Sequence, residues 1–186
     1  MKQEISPRYG LRLINTGPAV VATCGPAHSP NGIALAWCMP VSHKPPMAAV
    51  SVAPQRYSHG LIEQRGCFCV NVPSVRQLHG LMIMGTRSGR DGDKFAPARF
   101  TAQPAETVDT VFIEECPGHI ECVVRQAHTA GDHTIFVGEI LRAFVESDMF
   151  DRNKWTLEQP QGRTVHHLGE EYFGVLNKII RFQFND

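Results

Sequence analysis

The chain has 186 residues, 42% of them hydrophobic, with 18 Lys+Arg set against 18 Asp+Glu. That length suffices for one domain whose core covers roughly 70% of the surface its unfolded chain exposes, so neither a disulfide framework nor a structural metal is needed. Zero formal charge removes long-range attraction to nucleic acid or an anionic membrane. The start Met-Lys-Gln-Glu-Ile-Ser has no apolar signal segment and no apolar run approaches membrane-spanning length, so a cytoplasmic protein is expected.

Short β-rich runs separated by Pro and Gly dominate: Ala19 to Thr23, Ile33 to Met39, Met47 to Ala53, Cys67 to Val72, Val108 to Ile113, Ile120 to Ala127 and Thr134 to Val145. Pro18, Pro26, Pro30, Pro40, Pro45, Pro46 and Pro54 punctuate the first third and disfavour helix there. A first helix is predicted over Tyr57 to Gln64, with Leu61 and Ile62 on one face and Gly66 as its stop. A second opens at Ser74, with Gln77 in capping-box spacing, and buries Leu78, Leu81 and Met82 before Gly85. A weaker helical pattern spans Leu168 to Leu176. Strand runs alternating with turn signals favour an antiparallel barrel or sandwich over a parallel α/β sheet. One domain over residues 1–186 is predicted, without repeat, linker or low-complexity segment.

Cys24, Cys38, Cys67, Cys69, Cys116 and Cys122 lie in apolar, strand-like surroundings and read as reduced core thiols. Cys67-Phe-Cys69 puts two sulfurs on one strand face but lacks the two-residue spacer of a zinc knuckle or redox dithiol. Nine histidines show no metalloprotease spacing, so no metal site is expected. No G-x-G-x-x-G segment follows a strand, which argues against a dinucleotide held permanently by a Rossmann domain.

The segments that carry chemistry are Asn31-Gly-Ile-Ala-Leu-Ala-Trp37, Ser51-Val-Ala-Pro-Gln-Arg-Tyr-Ser58, Cys67-Phe-Cys-Val-Asn-Val-Pro-Ser74, Gly85-Thr-Arg-Ser-Gly-Arg-Asp-Gly-Asp-Lys-Phe95, and Gly131-Asp-His133 with Gly138. In this order and spacing, over about residues 18–145, the set resembles the flavin reductase-like, FMN-binding split-barrel family. The Asn-Val-Pro-Ser and Ser-Gly-Arg-Asp segments are most similar to its flavoredoxin-like branch. The resemblance implies a Greek-key split β-barrel of about six antiparallel strands with a few short helices. It also implies one non-covalent FMN per subunit and a homodimer that completes the pocket, which the apolar tail Ile179 to Phe184 would join.

FMN joins a dianionic phosphate to a planar ring, so its site needs donors at one end and flat, close backbone at the other. Arg56 supplies a planar fork, and Ser58 sits where a helix begins with free N–H groups. Ser88, Gly89 and Lys94 lie in a Gly-rich loop that reads either as a nest over the same phosphate or as a solvated turn. Ile33, Ala34, Leu35 and Ala36 offer backbone to the ring, and Ser51 stands on the next strand. Asn31 is a flavin contact or a turn residue after Pro30, and Trp37 is placed near the flavin by the resemblance alone. Asn71, carried with Val72 among the cofactor-binding set, is a flavin contact or a turn initiator before Pro73.

His133 is implied by the resemblance to stand on the nicotinamide side, positioning a transient NAD(P)H donor; its plain reading is a polar hairpin residue. Three roles follow: an NAD(P)H:flavin reductase, a flavoredoxin-like carrier served by a redox protein partner, or a module that holds flavin or haem without turnover. FAD remains a possible alternative to FMN.

Overall fold

Val-Val-Ala-Thr-Cys is branched or apolar at nearly every position, which suits a strand covered on both faces. In the computed structural model, which describes residues 6–7, 11–15, 17–151, 154–159 and 162–181, this segment is β1 (Val20–Cys24), buried throughout and paired on both edges. Next come β2 (Asn31–Leu35), β3 (Cys38–His43), β4 (Pro46–Val52), α1 (Tyr57–Arg65) and β5 (Cys67–Val72). Then follow α2 (Leu78–Thr86), α3 (Phe95–Ala98), β6 (Ala102–Pro104), β7 (Val111–Ile113), and the long pair β8 (Gly118–Ala130) and β9 (His133–Val145). Two short hairpins finish the chain: β10 (Phe150–Asp151) with β11 (Lys154–Trp155), and β12 (Val165–Gly169) with β13 (Tyr172–Val175).

The main sheet has seven antiparallel strands in the order β2-β1-β5-β8-β9-β4-β3. Strands β2 and β3, neighbours in sequence, lie at opposite ends of that order. The chain crosses between them at Ala36-Trp37, and the Ser51 N–H of β4 donates to the Trp37 carbonyl at 3.0 Å. The single run predicted over Ile33 to Met39 is therefore two strands. No Gly or Pro interrupts it, so the local pattern carries no sign of the crossing, which is decided by which edges each half can pair.

Two apolar clusters hold the fold. Val50, Val52, Ile62, Phe68 and Phe136 fill the barrel, with α1 contributing Ile62. Leu81, Met84, Phe95, Phe100, Val111 and Ile113 pack the helices against its outside. The predicted Ser74 box is present, with the Arg76 N–H donating to Ser74 Oγ and Gln77 Oε1 accepting from the Ser74 N–H. It caps a 3-10 turn that continues into α2, and the fully buried methionine of that helix is Met84 rather than Met82. The predicted run from Val108 shortens to β7, starting at Val111.

The helix predicted over Leu168 to Leu176 is instead the β12–β13 hairpin. Gly169 at φ 136° and Glu170 at φ 50° turn the chain there, and the flanking residues pair across the turn. All six cysteines are free, five of them buried and Cys38 half-buried. Among the described residues no helix is long and apolar enough to cross a membrane, and no group of three or more His, Cys, Asp or Glu is placed to hold a metal ion. The predicted tail contact falls partly outside the described residues, which end at Arg181; Ile179 and Ile180 are exposed.

Candidate functional site

Beside β2 lies a cavity of about 820 Å³, bounded by the β4–α1 junction, α2, the loop after it, and the β12–β13 hairpin. It falls in the upper range for small-molecule sites, which run from about 300 to 1,000 Å³. Ile33, Ala34, Leu35, Ala36 and Trp37 form one wall, and Ser51, Arg56, Ser58, Ser88, Gly89, Lys94 and His133 also line it. These twelve residues come from four separate segments, so folding brings them together.

The polar end is built around α1. Its N-cap is Arg56, in extended conformation and without a side-chain cap, and no acidic residue occupies the first turn. The His59 N–H donates to the Arg56 carbonyl at 3.0 Å, and the Tyr57 and Ser58 N–H groups ahead of it keep their anion-binding capacity, with the exposed Arg56 guanidinium beside them. Buried Ser58 accepts from Asn31 Nδ2 at 2.7 Å, and Cys24 Sγ lies 3.4 Å from the same amide nitrogen. Asn31 therefore orients Ser58 and stands behind the cavity wall. Its Oδ1 is buried with no hydrogen-bond partner. Gly89 lies flat against that oxygen and the Tyr57 ring, where an added Cβ would collide with both. The loop continues with Arg90, which donates to the Gln55 carbonyl at 3.0 Å and lies 5.5 Å from the Tyr57 ring centre.

Lys94 departs from the expectation of an open phosphate ligand. Its ammonium is buried and donates to the Gly32 carbonyl, with the Arg87 and Met84 carbonyls at 3.3 and 3.4 Å. Burial pushes its pKa below the usual lysine value. The side chain staples the loop to β2 and α2 and lends the cavity its charge from behind. Asn71 and Val72 stand apart from the cavity. Asn71 is fully buried: Nδ2 donates to the Val21 carbonyl and Thr23 Oγ1, both at 3.0 Å, and Oδ1 accepts from the Ile113 N–H at 2.7 Å. Both N–H donors and the carbonyl oxygen are engaged in joining β1, β5 and β7, and the side chain is sealed away from the cavity, so the structure places it as a clamp between strands rather than at the flavin. Val72 packs on the barrel core.

At the other end, the Trp37 and His133 rings lie 4.8 Å apart between centroids. His133 is part-exposed on the tip of the β8–β9 hairpin, where Gly131 at φ 61° makes the turn. His133 Nδ1 is 2.7 Å from Asp132 Oδ1; a carboxylate only accepts, so Nδ1 carries the hydrogen and Nε2 is left free. The contact draws the Asp132 carboxyl below its usual pKa.

Sequence reasoning missed Arg12, Tyr57, Arg90, His167 and Phe173, all on the cavity wall. Arg90 lies within the Gly85 to Phe95 motif and was available to it; Arg12 and His167 come from regions without motif signal. The lining carries Arg12, Arg56, Arg87, Arg90 and Lys94 against only Asp91 and Glu170. A neutral chain thus concentrates positive charge at one site. The uncapped helix start and the exposed Arg56, which has no side-chain partner among the described residues, suit a ligand with an anionic end, as a flavin mononucleotide has.

Residues 11–166 match the family described as flavin reductase like domain. The chain is 32% identical over 181 residues to YddH of Escherichia coli (strain K12), covering 95% of each. It is 30% identical over 151 residues to a protein named flavin reductase from Pseudomonas putida, covering 80% of this chain and 85% of that one. The flavoredoxin of Desulfovibrio vulgaris (Miyazaki F) superposes with a TM-score of 0.84 at 25% identity, over 99% of this chain and 98% of that one. With a split-barrel sheet, a cationic cavity on β2 and a match spanning most of its length, the chain belongs to the flavin reductase-like domain family.

Proposed function

We propose that the chain is an FMN-binding flavoprotein oxidoreductase of the NAD(P)H:flavin reductase type. The observation that carries this reading is one cavity with an uncapped helix start and Arg56 at one end, and bare β2 backbone beside Trp37 and His133 at the other. Arg56 and the first N–H groups of α1 hold the terminal phosphate, a dianion that suits FMN better than FAD. Gly89 permits close approach at that end. Backbone of Ile33 to Ala36 faces the ring, and hydrogen bonds there are the protein's main control over flavin potential. Bound FMN would supply a two-electron acceptor for hydride from a dihydronicotinamide and a store from which electrons could pass to a further acceptor.

His133 and Trp37 bound the open side, where a visiting nicotinamide is positioned rather than protonated. Anaerobic mixing of the FMN-loaded protein with NADH and with NADPH tests this: rapid bleaching of the flavin bands is expected. His133→Ala should slow bleaching by about one to two orders of magnitude while dithionite still reduces the flavin. A variant that reacts at the wild-type rate removes His133 from the site. The fold match to a flavoredoxin favours a second reading, an electron carrier, which a wild type bleached only by dithionite would support. A Soret band, or no chromophore after reconstitution, would instead support a ligand-holding module.

The protein is also read as a homodimer. Exposed Leu13, Ile14, Leu168 and Tyr172, each next in sequence to a cavity-lining residue, support this. Sedimentation at a monomer mass over micromolar concentrations would overturn it.

A further inference from the structure

The cavity has a second cationic pole, far from Arg56, that the phosphate of FMN does not use. Strand β2 serves as the ruler. Asn31 at its start holds Ser58 at the α1 end. Leu35 at its finish pairs with Val20, and the residues just before β1 meet the C-terminal hairpin: the Ala19 N–H donates to the Val165 carbonyl at 2.8 Å, and Pro18 bridges His166. Four residue steps of about 3.3 Å separate the two ends of β2, about 13 Å. Arg12 and His167 line the cavity at the hairpin end, as do Trp37, two residues beyond Leu35, and His133, whose ring lies tilted 4.8 Å from that of Trp37.

The chemistry of this pole is fixed by its hydrogen bonds. His167 Nε2 lies 3.0 Å from the Glu170 carbonyl, which only accepts, so Nε2 carries the hydrogen and Nδ1 is an acceptor. Arg12 Nη1 lies 3.4 Å from that Nδ1. The Arg12 guanidinium carbon runs along the hairpin turn, 3.6 Å from where a Cβ on Gly169 would stand. The neutral face of His167 thus supports Arg12 without neutralising it. Among the described residues no carboxylate lies within ion-pair distance of Arg12. Its remaining N–H groups are uncommitted at the rim of a cavity whose other anion site is occupied when FMN is bound.

Resting on the reductase reading above, we infer that Arg12, supported by His167, is the recognition point for a phosphate group of the visiting dihydronicotinamide nucleotide. A nucleotide that places its nicotinamide beside Trp37 and His133 has its phosphates within reach of the same end of the cavity. Arg12 is therefore a specificity-determining residue: it selects an anionic hydride donor over a neutral one, and it acts on docking rather than on the hydride step.

The test uses the FMN-loaded protein in anaerobic stopped flow with three donors: NADH, NADPH, and 1-benzyl-1,4-dihydronicotinamide, which has no phosphate. For Arg12→Gln the apparent Kd of the dinucleotides should rise about tenfold or more, the size of a lost charge-assisted contact, with the limiting bleaching rate retained. The ratio of dinucleotide to neutral-donor second-order rate constants should fall by the same factor. His167→Ala should shift that ratio in the same direction by a smaller amount. A ratio in Arg12→Gln within about twofold of wild type overturns the subsite. So does a wild type reduced by the neutral donor but by neither dinucleotide, which would leave the flavin site standing. A wild type reduced by none of the three donors, though by dithionite, refutes the reductase reading itself.

Discussion

Arg56 and Asn71 are both polar residues at strand or helix ends, and they meet opposite fates. Arg56 has an exposed guanidinium with no side-chain partner among the described residues, beside an uncapped helix start. Asn71 is sealed in the core with its amide fully engaged. Arg56→Ala should weaken FMN binding about ten- to a hundred-fold, from about 1.5 to 3 kcal/mol of charge-assisted bonding, and leave riboflavin affinity nearly as it was. Titrating both flavins checks this; equal losses would take Arg56 away from the phosphate. Asn71→Ala should do the reverse. It strands the buried Ile113 N–H and Thr23 hydroxyl contacts and should cost about 2 to 4 kcal/mol in urea unfolding, with flavin affinity unaffected in the folded protein. A flavin-specific loss at unchanged stability would return Asn71 to the site.

At the scale of elements, the loop between α2 and α3 is ordered by what it touches. Asp93 Oδ1 accepts from the Phe95 N–H at 2.8 Å and its Oδ2 from the Ala96 N–H at 3.1 Å, starting α3, while Lys94 turns inward onto three carbonyls. Ser88 Oγ accepts from the Arg90 N–H at 3.2 Å, so the same short segment is tied at both ends. Gly89 is the point where it presses on Asn31 and Tyr57. Gly89→Ala forces the loop off that surface and should weaken FMN binding by more than tenfold while shifting the unfolding midpoint little, since the loop contributes no barrel-core residue. Flavin titration and thermal melts on the same sample separate the two effects. Unchanged flavin affinity would show that the loop does not close on the ligand.

Across the whole molecule the barrel carries a pH-sensitive pair remote from the cavity. His119 stacks between Phe112 at 4.1 Å and Phe144 at 4.9 Å, and its buried Nε2 has no hydrogen bond, with Glu121 Oε1 4.0 Å away. Burial pushes the His119 pKa below its usual 6.5, against a smaller pull upward from Glu121 and Glu106. Burial alone would raise the Glu121 carboxyl, but the Thr107 hydroxyl and the Glu106 and Thr107 N–H groups hold it below its usual 4.5. Both groups bind protons more weakly folded than unfolded, so stability rises with pH. The His119 contribution is complete above its unfolded value of 6.5 and is lost as pH falls through its lowered folded value. The Glu121 contribution is lost further down, below 4.5. The thermal midpoint should therefore fall on going from about pH 7.5 to about pH 5, and His119→Phe should flatten that part of the profile. A midpoint that rises on acidification would refute the sign.

The sequence by itself determined most of the main-sheet strands, the two main helices and the family. Alternating apolar runs, the Ser74 box and the Gly66 stop are local signals, and local backbone energetics enforces them wherever they fall. The motif segments around Ala34, Arg56 and Gly89 were legible for the same reason: each keeps its chemistry within a few consecutive residues. What only the tertiary structure decided depends on partners distant in sequence. Lys94 and Asn71 look like free polar groups until carbonyls and N–H groups from other strands claim them. Residues 168–176 fit a helical pattern until pairing across Gly169 and Glu170 makes them a hairpin over the cavity. The neutral net charge hides the arginines that folding gathers around one void, because composition sums charge over the chain whereas a ligand feels only what stands within a few ångströms of it.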